Sequence, residues 1–166
     1  IIPFNPFIQD MKLLFPDEYA VALKGKEIIK QQIHREINED EVGFISLHVH
    51  SAISSNKVGE SMEAIRVVHE NINKLQKDLN IKIDVDTISY ARLMNHIKFL
   101  IIRLNTNEKL QMDISEFAKT KFPFAYEQAV RMCQDLSKVL KKPLPENEVG
   151  YLAIHLERIL SSTFNN

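Results

Sequence analysis

Two histidines stand among residues suited to receiving a charged group. His96 lies in the stretch Ser89–Leu104, with Arg92 four positions before it and Arg103 seven after it. On a helix, at 100° per residue, both arginines project within about 40° of the imidazole. Flanking cations lower the pKa of the ring and so keep a nitrogen neutral and nucleophilic. They also offer charge-assisted hydrogen bonds to an incoming phosphoryl group. A solvated polar face that happens to carry a histidine gives the same wheel, so the spacing alone leaves both readings open. His155 has Glu148 about two turns behind and Arg158 one turn ahead. Its helical position falls about 120° from the centre of the apolar stripe, at the edge of the core, where polar neighbours orient the ring. The competing reading is a boundary histidine satisfied by hydrogen bonds.

Recurrence weighs against that bland reading. The segment Glu148-Val149-Gly150-Tyr151-Leu152-Ala153-Ile154-His155 repeats Glu41-Val42-Gly43-Phe44-Ile45-Ser46-Leu47-His48 at an offset of 107 positions. The same offset pairs Phe15-Pro16 with Phe122-Pro123, Tyr19 with Tyr126, Ala22 with Ala129 and Glu39 with Glu146, with no gap between residues 15 and 50. A period this long means a duplicated domain, since solenoids and propellers repeat every 20 to 50 residues or so. His48 and His155 are therefore equivalent. His48 and His50 form an H-x-H pair, but residues two apart on a helix point about 200° from each other and cannot chelate one metal. No zinc-protease, phosphate-loop, nucleophile-elbow or paired-cysteine motif is present, so neither an enzyme, a metal nor a cofactor is expected.

The elements that must position these residues are helices. The chain has 166 residues, 45% of them hydrophobic, with four Gly and no Trp. Its abundance of Leu, Ile, Lys, Glu and Ala favours an all-α fold over a sandwich or barrel. A net charge of −1 with scattered Lys and Arg argues against nucleic-acid binding by this segment. The single Cys133 excludes an internal disulfide framework and suits a reducing compartment, so a cytoplasmic location without membrane insertion is expected. Asn5-Pro6 marks the start of a short helix, and an amphipathic helix follows from Pro16 to about Ile33 with Tyr19, Ala22, Leu23, Ile28 and Ile29 as its apolar face. Asn38 to Glu41 opens the next helix as a loose capping box. Residues 44 to 50 alternate well enough to read as a strand, but the second copy breaks the alternation and decides for helix.

Residues 54 to 60 make a polar connection, with 58 to 60 taken as the linker between the copies. Five helices are expected beyond it, at about 61 to 79, 86 to 104, 113 to 121, 124 to 140 and from Pro145 to about Ser162, with a frayed tail. Pro143 and Pro145 stop the fourth. By the offset, Ile1 corresponds to Glu108, so residues 1 to 57 read as the C-terminal half of one domain and 61 to 166 as a whole second one.

SYARLMNHIKFLIIRL (89–104) and ENEVGYLAIHLERI (146–159) resemble the two histidine-bearing motifs of the phosphotransferase-system regulation domain, or PRD, of BglG/SacY-type transcriptional antiterminators. NPF (5–7), LFPDEY (14–19) and EDEVGFISLHVHSA (39–52) resemble the second half of a first such domain, so the resemblance covers nearly the whole chain. It implies a sensor of sugar supply rather than an enzyme, built as an antiparallel five-helix bundle that pairs in a homodimer. It further implies that His96, His155 and His48, with His50 as a less certain addition, accept phosphoryl groups from the phosphocarrier HPr and a sugar-specific EII component, EIIB among them. Arg92, Arg103 and Arg158 would orient the phosphate, and RNA would be bound through an N-terminal domain that this sequence does not include. The same module in a DNA-binding sugar-operon activator, or a helical dimerisation module with structural histidines, remain the alternatives.

Overall fold

A computed structural model describes residue 5 and residues 7–53 and 58–165. Among them it contains eight helices and no strand: α1 (Ile8–Leu14), α2 (Pro16–Ile33), α3 (Glu39–Ile53), α4 (Val58–Leu79), α5 (Ile88–Thr106), α6 (Ser115–Lys121), α7 (Pro123–Leu140) and α8 (Glu146–Phe164). The chain divides into two compact units, residues 1–62 and 63–166. The stretch that alternates like a strand, Phe44 to His50, lies inside α3. A strand there would need a partner for its backbone groups, whereas the helix satisfies them internally.

The repeat reaches the backbone angles. Helices α1, α2 and α3 begin 107 positions before α6, α7 and α8. Phe15 and Phe122 precede the N1 prolines of α2 and α7 with φ −129°, ψ 56° and φ −132°, ψ 58°. These angles avoid the helical region, as a residue before proline must. His34 and Lys141 end the same two helices in the left-handed region, at φ 55° and 53°.

In the first unit, α3 packs on α2 and α1. Tyr19, Ala22 and Val42 form the core, with Ile8, Ile37 and Ile45 against it. Leu23 and Ile28, expected on the buried face of α2, are 41% and 59% exposed, because α2 is covered only along the side that carries Tyr19 and Ala22. The N-terminus of α3 closes a full capping box rather than a loose one. Asn38 Oδ1 accepts from Glu41 N–H at 2.8 Å, and Glu41 Oε2 accepts from Asn38 N–H at 2.9 Å. The first short helix begins at Ile8. Asn5 supports it through its side-chain oxygen, which accepts from Phe7 N–H at 3.0 Å, while Pro6 lies outside the described residues.

In the second unit, α8 is the central element and touches α5, α6 and α7. Tyr90, Leu93, Met94, Ile97 and Leu100 of α5 meet a core shared with Met132, Leu136, Leu152 and Leu156, all under 2% exposed or at that level. Each such side chain contributes about 1.5–3 kcal/mol by leaving water. α4 adds Ala64, Ile65, Val68, Ile72 and Leu75, and Asn71 Nδ2 donates to Asp135 of α7 at 3.2 Å. Residues 58 to 60, taken as the linker, form the first turn of α4. Residues 54 to 57, the rest of the expected connection, lie outside the described residues. The expected fraying from Ser161 is also displaced: α8 continues to Phe164, where Ser162 Oγ and Thr163 Oγ1 donate back to Ile159 O at 2.9 and 2.8 Å.

α6 and α8 approach closely at Gly150. A Cβ there would stand 2.9 Å from both Cα and N of Ser115. Ser115 Oγ fastens the crossing by donating to Glu146 O at 3.0 Å. This contact seats the first turns of α8, and hence Glu148 and Tyr151, against the rest of the bundle.

Candidate functional site

His96 projects from the middle of α5 and His155 from the middle of α8, and the packing of these two helices brings their rings together. The centroids are 4.9 Å apart with 37° between the planes. Thr87 caps α5 by accepting from Tyr90 N–H at 3.2 Å, which fixes the phase of the helix that carries His96. Tyr151, one turn before His155, lies nearly parallel to His96 with centroids 6.1 Å apart and planes 12° apart. His96 is more covered than an exposed regulatory surface would require: its side chain is 8% exposed.

Glu148, at the start of α8, completes the cluster. Arg103 Nε donates to its Oε1 at 2.7 Å and Arg103 Nη2 to its Oε2 at 2.8 Å, a two-pronged buried pair. Oε2 also lies 3.5 Å from His96 Nε2. That distance is an electrostatic contact, not a hydrogen bond: His96 Nε2 and His155 Nδ1 are both buried without a hydrogen-bond partner among the described residues. The sequence placed Glu148 as an orienting partner of His155, yet it serves Arg103 and stands beside His96. Arg92 likewise departs from the wheel. It is exposed, and its charge acts on His155 across the helix pair rather than on its own helix neighbour.

Both rings are held uncharged. Burial, then His155 and Arg103, lowers the pKa of His96 to about 3. Burial, then Arg158 and Arg92, lowers that of His155 to about 4. At neutral pH each ring therefore has one protonated nitrogen and one lone pair, which is the state of a nucleophile rather than of a cation.

The first unit places its histidines differently. His48, the counterpart of His155, is exposed on α3. His50 turns to the opposite side, where Nδ1 lies 2.8 Å from Glu18 Oε1 and the ring packs on Phe15 with centroids 4.1 Å apart. The repeat assigns α1–α3 to α6–α8, so α5 and His96 have no counterpart in residues 1–57.

Glu148 and Tyr151 were not singled out by sequence as neighbours of His96, although one signal for Glu148 was available. Its counterpart Glu41 spends its carboxylate on the N–H of Asn38. The residue equivalent to Asn38 is Pro145, which has no N–H to offer. The Glu148 carboxylate is thereby left for a partner from another helix.

Fold and site together define an all-helical bundle, duplicated in part, whose second unit carries a close pair of uncharged histidines bordered by arginines. The chain belongs to the PRD domain family, whose match covers residues 1–52 and 69–159. It is 30% identical over 157 residues to the PtsGHI operon antiterminator of Bacillus subtilis, covering 93% of this chain and 56% of that protein. It is 33% identical over 168 residues to the GlcA/glcB genes antiterminator of Staphylococcus carnosus (98% and 57%). Against the GlcT protein of Staphylococcus saprophyticus it is 36% identical over 164 residues (95% and 57%). The chain thus spans little more than half the length of these relatives, two of which are named as antiterminators. The expected all-α fold and the resemblance to the PRD region of antiterminators both hold. Among the described residues no helix is long and apolar enough to cross a membrane.

Proposed function

We propose that this chain is the phosphoryl-accepting regulatory part of a transcriptional antiterminator, responsive to sugar supply. In this reading residues 1–57 belong to one regulation domain and 61–166 form a second. His96 and His155 are the acceptors of the second and His48 of the first, with His50 an additional candidate. The donors are the phosphocarrier HPr and a sugar-specific EII component. The observation that carries the reading is the His96–His155 pair, 4.9 Å apart, with both rings uncharged at neutral pH.

The chemistry needs only what such a pair supplies. A ring nitrogen lone pair attacks the phosphorus of the donor phosphohistidine. The new N–P bond forms as the donor's N–P bond breaks, the donor ring leaves with that electron pair, and each ring keeps the proton on its other nitrogen. The transferred group's oxygens carry roughly two negative charges, by analogy with other phospho-residues, and the retained ring proton offsets one of them. In this reading Arg92, Arg103 and Arg158 are the cations that meet them. In a homodimer the change occurs twice, and two arrangements that differ by a few kcal/mol can be exchanged by it, with RNA held by a separate domain.

Incubating the chain with HPr and a phosphoryl source, with and without the EII component, followed by mass mapping under alkaline conditions, tests this. Phosphate is expected on His96, His155 and His48, each lost in the matching His→Ala variant. A chain that acquires no acid-labile phosphate overturns the reading.

A further inference from the structure

The proposed acceptor chemistry leaves one buried group without a role. Glu148 is 3% exposed, commits both oxygens to Arg103, and sets Oε2 3.5 Å from His96 Nε2. The other titratable neighbour that feels its charge is Cys133 of α7, whose thiol is pushed up to about 12, chiefly by burial and then by Glu148. That thiol is neutral, so Arg103 is the cation bonded to Glu148 among the described residues. A phosphoryl group on His96 would bring roughly two further negative charges to the same guanidinium, where little water reaches to screen them. Like charges crowded at a buried site disfavour one another strongly, so one of the anions must give way.

We propose that Glu148 is a positioning residue that holds Arg103 while His96 is unmodified and yields it to the phosphoryl group once His96 is modified. This rests on the reading of His96 as an acceptor. No covalent bond changes in the exchange: the two hydrogen bonds donated by the guanidinium pass from carboxylate to phosphoryl oxygens. The displaced carboxylate lies in the first turn of α8, where the free N–H groups and the positive end of the helix dipole accommodate an anion. Because Glu148 is on the same helix as His155, the exchange carries the state of His96 to the second histidine through α8.

The test compares the wild-type chain with Glu148→Gln and Arg103→Gln after incubation with phosphorylated HPr, reading the ratio of phosphate on His96 to phosphate on His155 within each molecule. Glu148→Gln removes the competing charge and is expected to raise that ratio at least fivefold, the lower end of ordinary coupling between sites. Arg103→Gln is expected to lower it. A variant that does not fold is bypassed by a second measurement on native Arg103 and Glu148. The Arg103 Nε–H resonance should move when His96 is phosphorylated in a His155→Ala chain, and stay when His155 is phosphorylated in a His96→Ala chain. An Arg103 signal that does not respond to phosphate on His96, or a folded Glu148→Gln chain with an unchanged or lower ratio, overturns the exchange while leaving His96 an acceptor. Absence of phosphate on His96 in every chain overturns the acceptor reading and the exchange together.

Discussion

At the scale of single residues, the site depends on keeping two imidazoles uncharged, and this makes the stability of the second unit depend on pH. The folded-state pKa values of about 3 for His96 and about 4 for His155 lie below the ordinary value near 6.5 of an unfolded chain. Between these limits the unfolded chain binds more protons than the folded one. The contribution is therefore fully present above pH 6.5, declines as pH falls toward 3, and changes no further once both states are protonated. For the well-covered His96 the full loss is on the order of 5 kcal/mol, since each pKa unit corresponds to about 1.4 kcal/mol. Urea unfolding of wild type and His96→Gln at pH 7 and pH 4.5 checks this, with the variant expected to lose less stability on acidification. Ring signals of His96 and His155 that titrate between pH 8 and 5.5 in the folded chain would contradict it directly. Of this candidate site, the histidines to consider were legible from the repeat and the motif resemblance, and the structure brings two of them together. The role of Glu148 was not, because a helical wheel reports the phase of one helix and says nothing about which residue of a second helix it meets.

At the scale of elements, the repeat places glycine at the same position of α3 and α8, but the two crossings differ in what surrounds it. A Cβ at Gly150 would press on the backbone of Ser115, at 2.9 Å from both Cα and N. A Cβ at Gly43 would meet the side-chain ends of Ile8 at 2.5 Å and Asn5 at 2.7 Å. Side-chain ends can turn aside, whereas backbone moves only with its helix. Gly150→Ala is accordingly expected to destabilise the second unit by about 1–3 kcal/mol through overpacking. Gly43→Ala should change the first by less than about 1 kcal/mol, because the gain in helix propensity offsets part of the strain. Denaturant midpoints measure both, and equal costs would show that the two crossings are governed by something other than the atoms beside each glycine. The helix boundaries were largely readable in advance, because prolines, caps and apolar spacing act locally. The exposure of Leu23 and Ile28 was not, since it depends on how much of α2 its neighbours cover.

At the scale of the whole molecule, the proposed function predicts that the output of the site is a change in association. His96→Asp and His155→Asp put carboxylates near Arg103, Arg92 and Arg158 and should imitate phosphorylation in part, because aspartate carries about one negative charge against roughly two. Dimer affinity is expected to shift by about 1–3 kcal/mol, or five- to 150-fold, by analytical ultracentrifugation, with a smaller shift in high salt. His34→Asp and His69→Asp serve as controls. His34 ends α2 in a left-handed, exposed position, and the Nδ1 of His69 lies 3.1 Å from Asn73 on its own helix. Equal shifts from all four replacements would show that total charge, not the arginine-bordered pair, controls assembly.

The sequence by itself determined the helical class and the duplication and singled out the histidines as candidates, because these follow from composition, from spacing along one chain and from patterns that recur at one offset. The offset even predicts backbone angles, since a proline at N1 restricts the residue before it wherever it occurs. Tertiary structure decided which side chains meet. It joined His96 to His155, assigned Arg103 to Glu148, and sent the influence of Arg92 to a histidine on another helix. Pair distances across α5 and α8 depend on how far the helices approach and at what phase, and that approach is set by the atoms packed between them. A change as small as proline for asparagine at the start of α8 removes one N–H, frees a carboxylate from capping its own helix, and leaves the bundle to determine its partner.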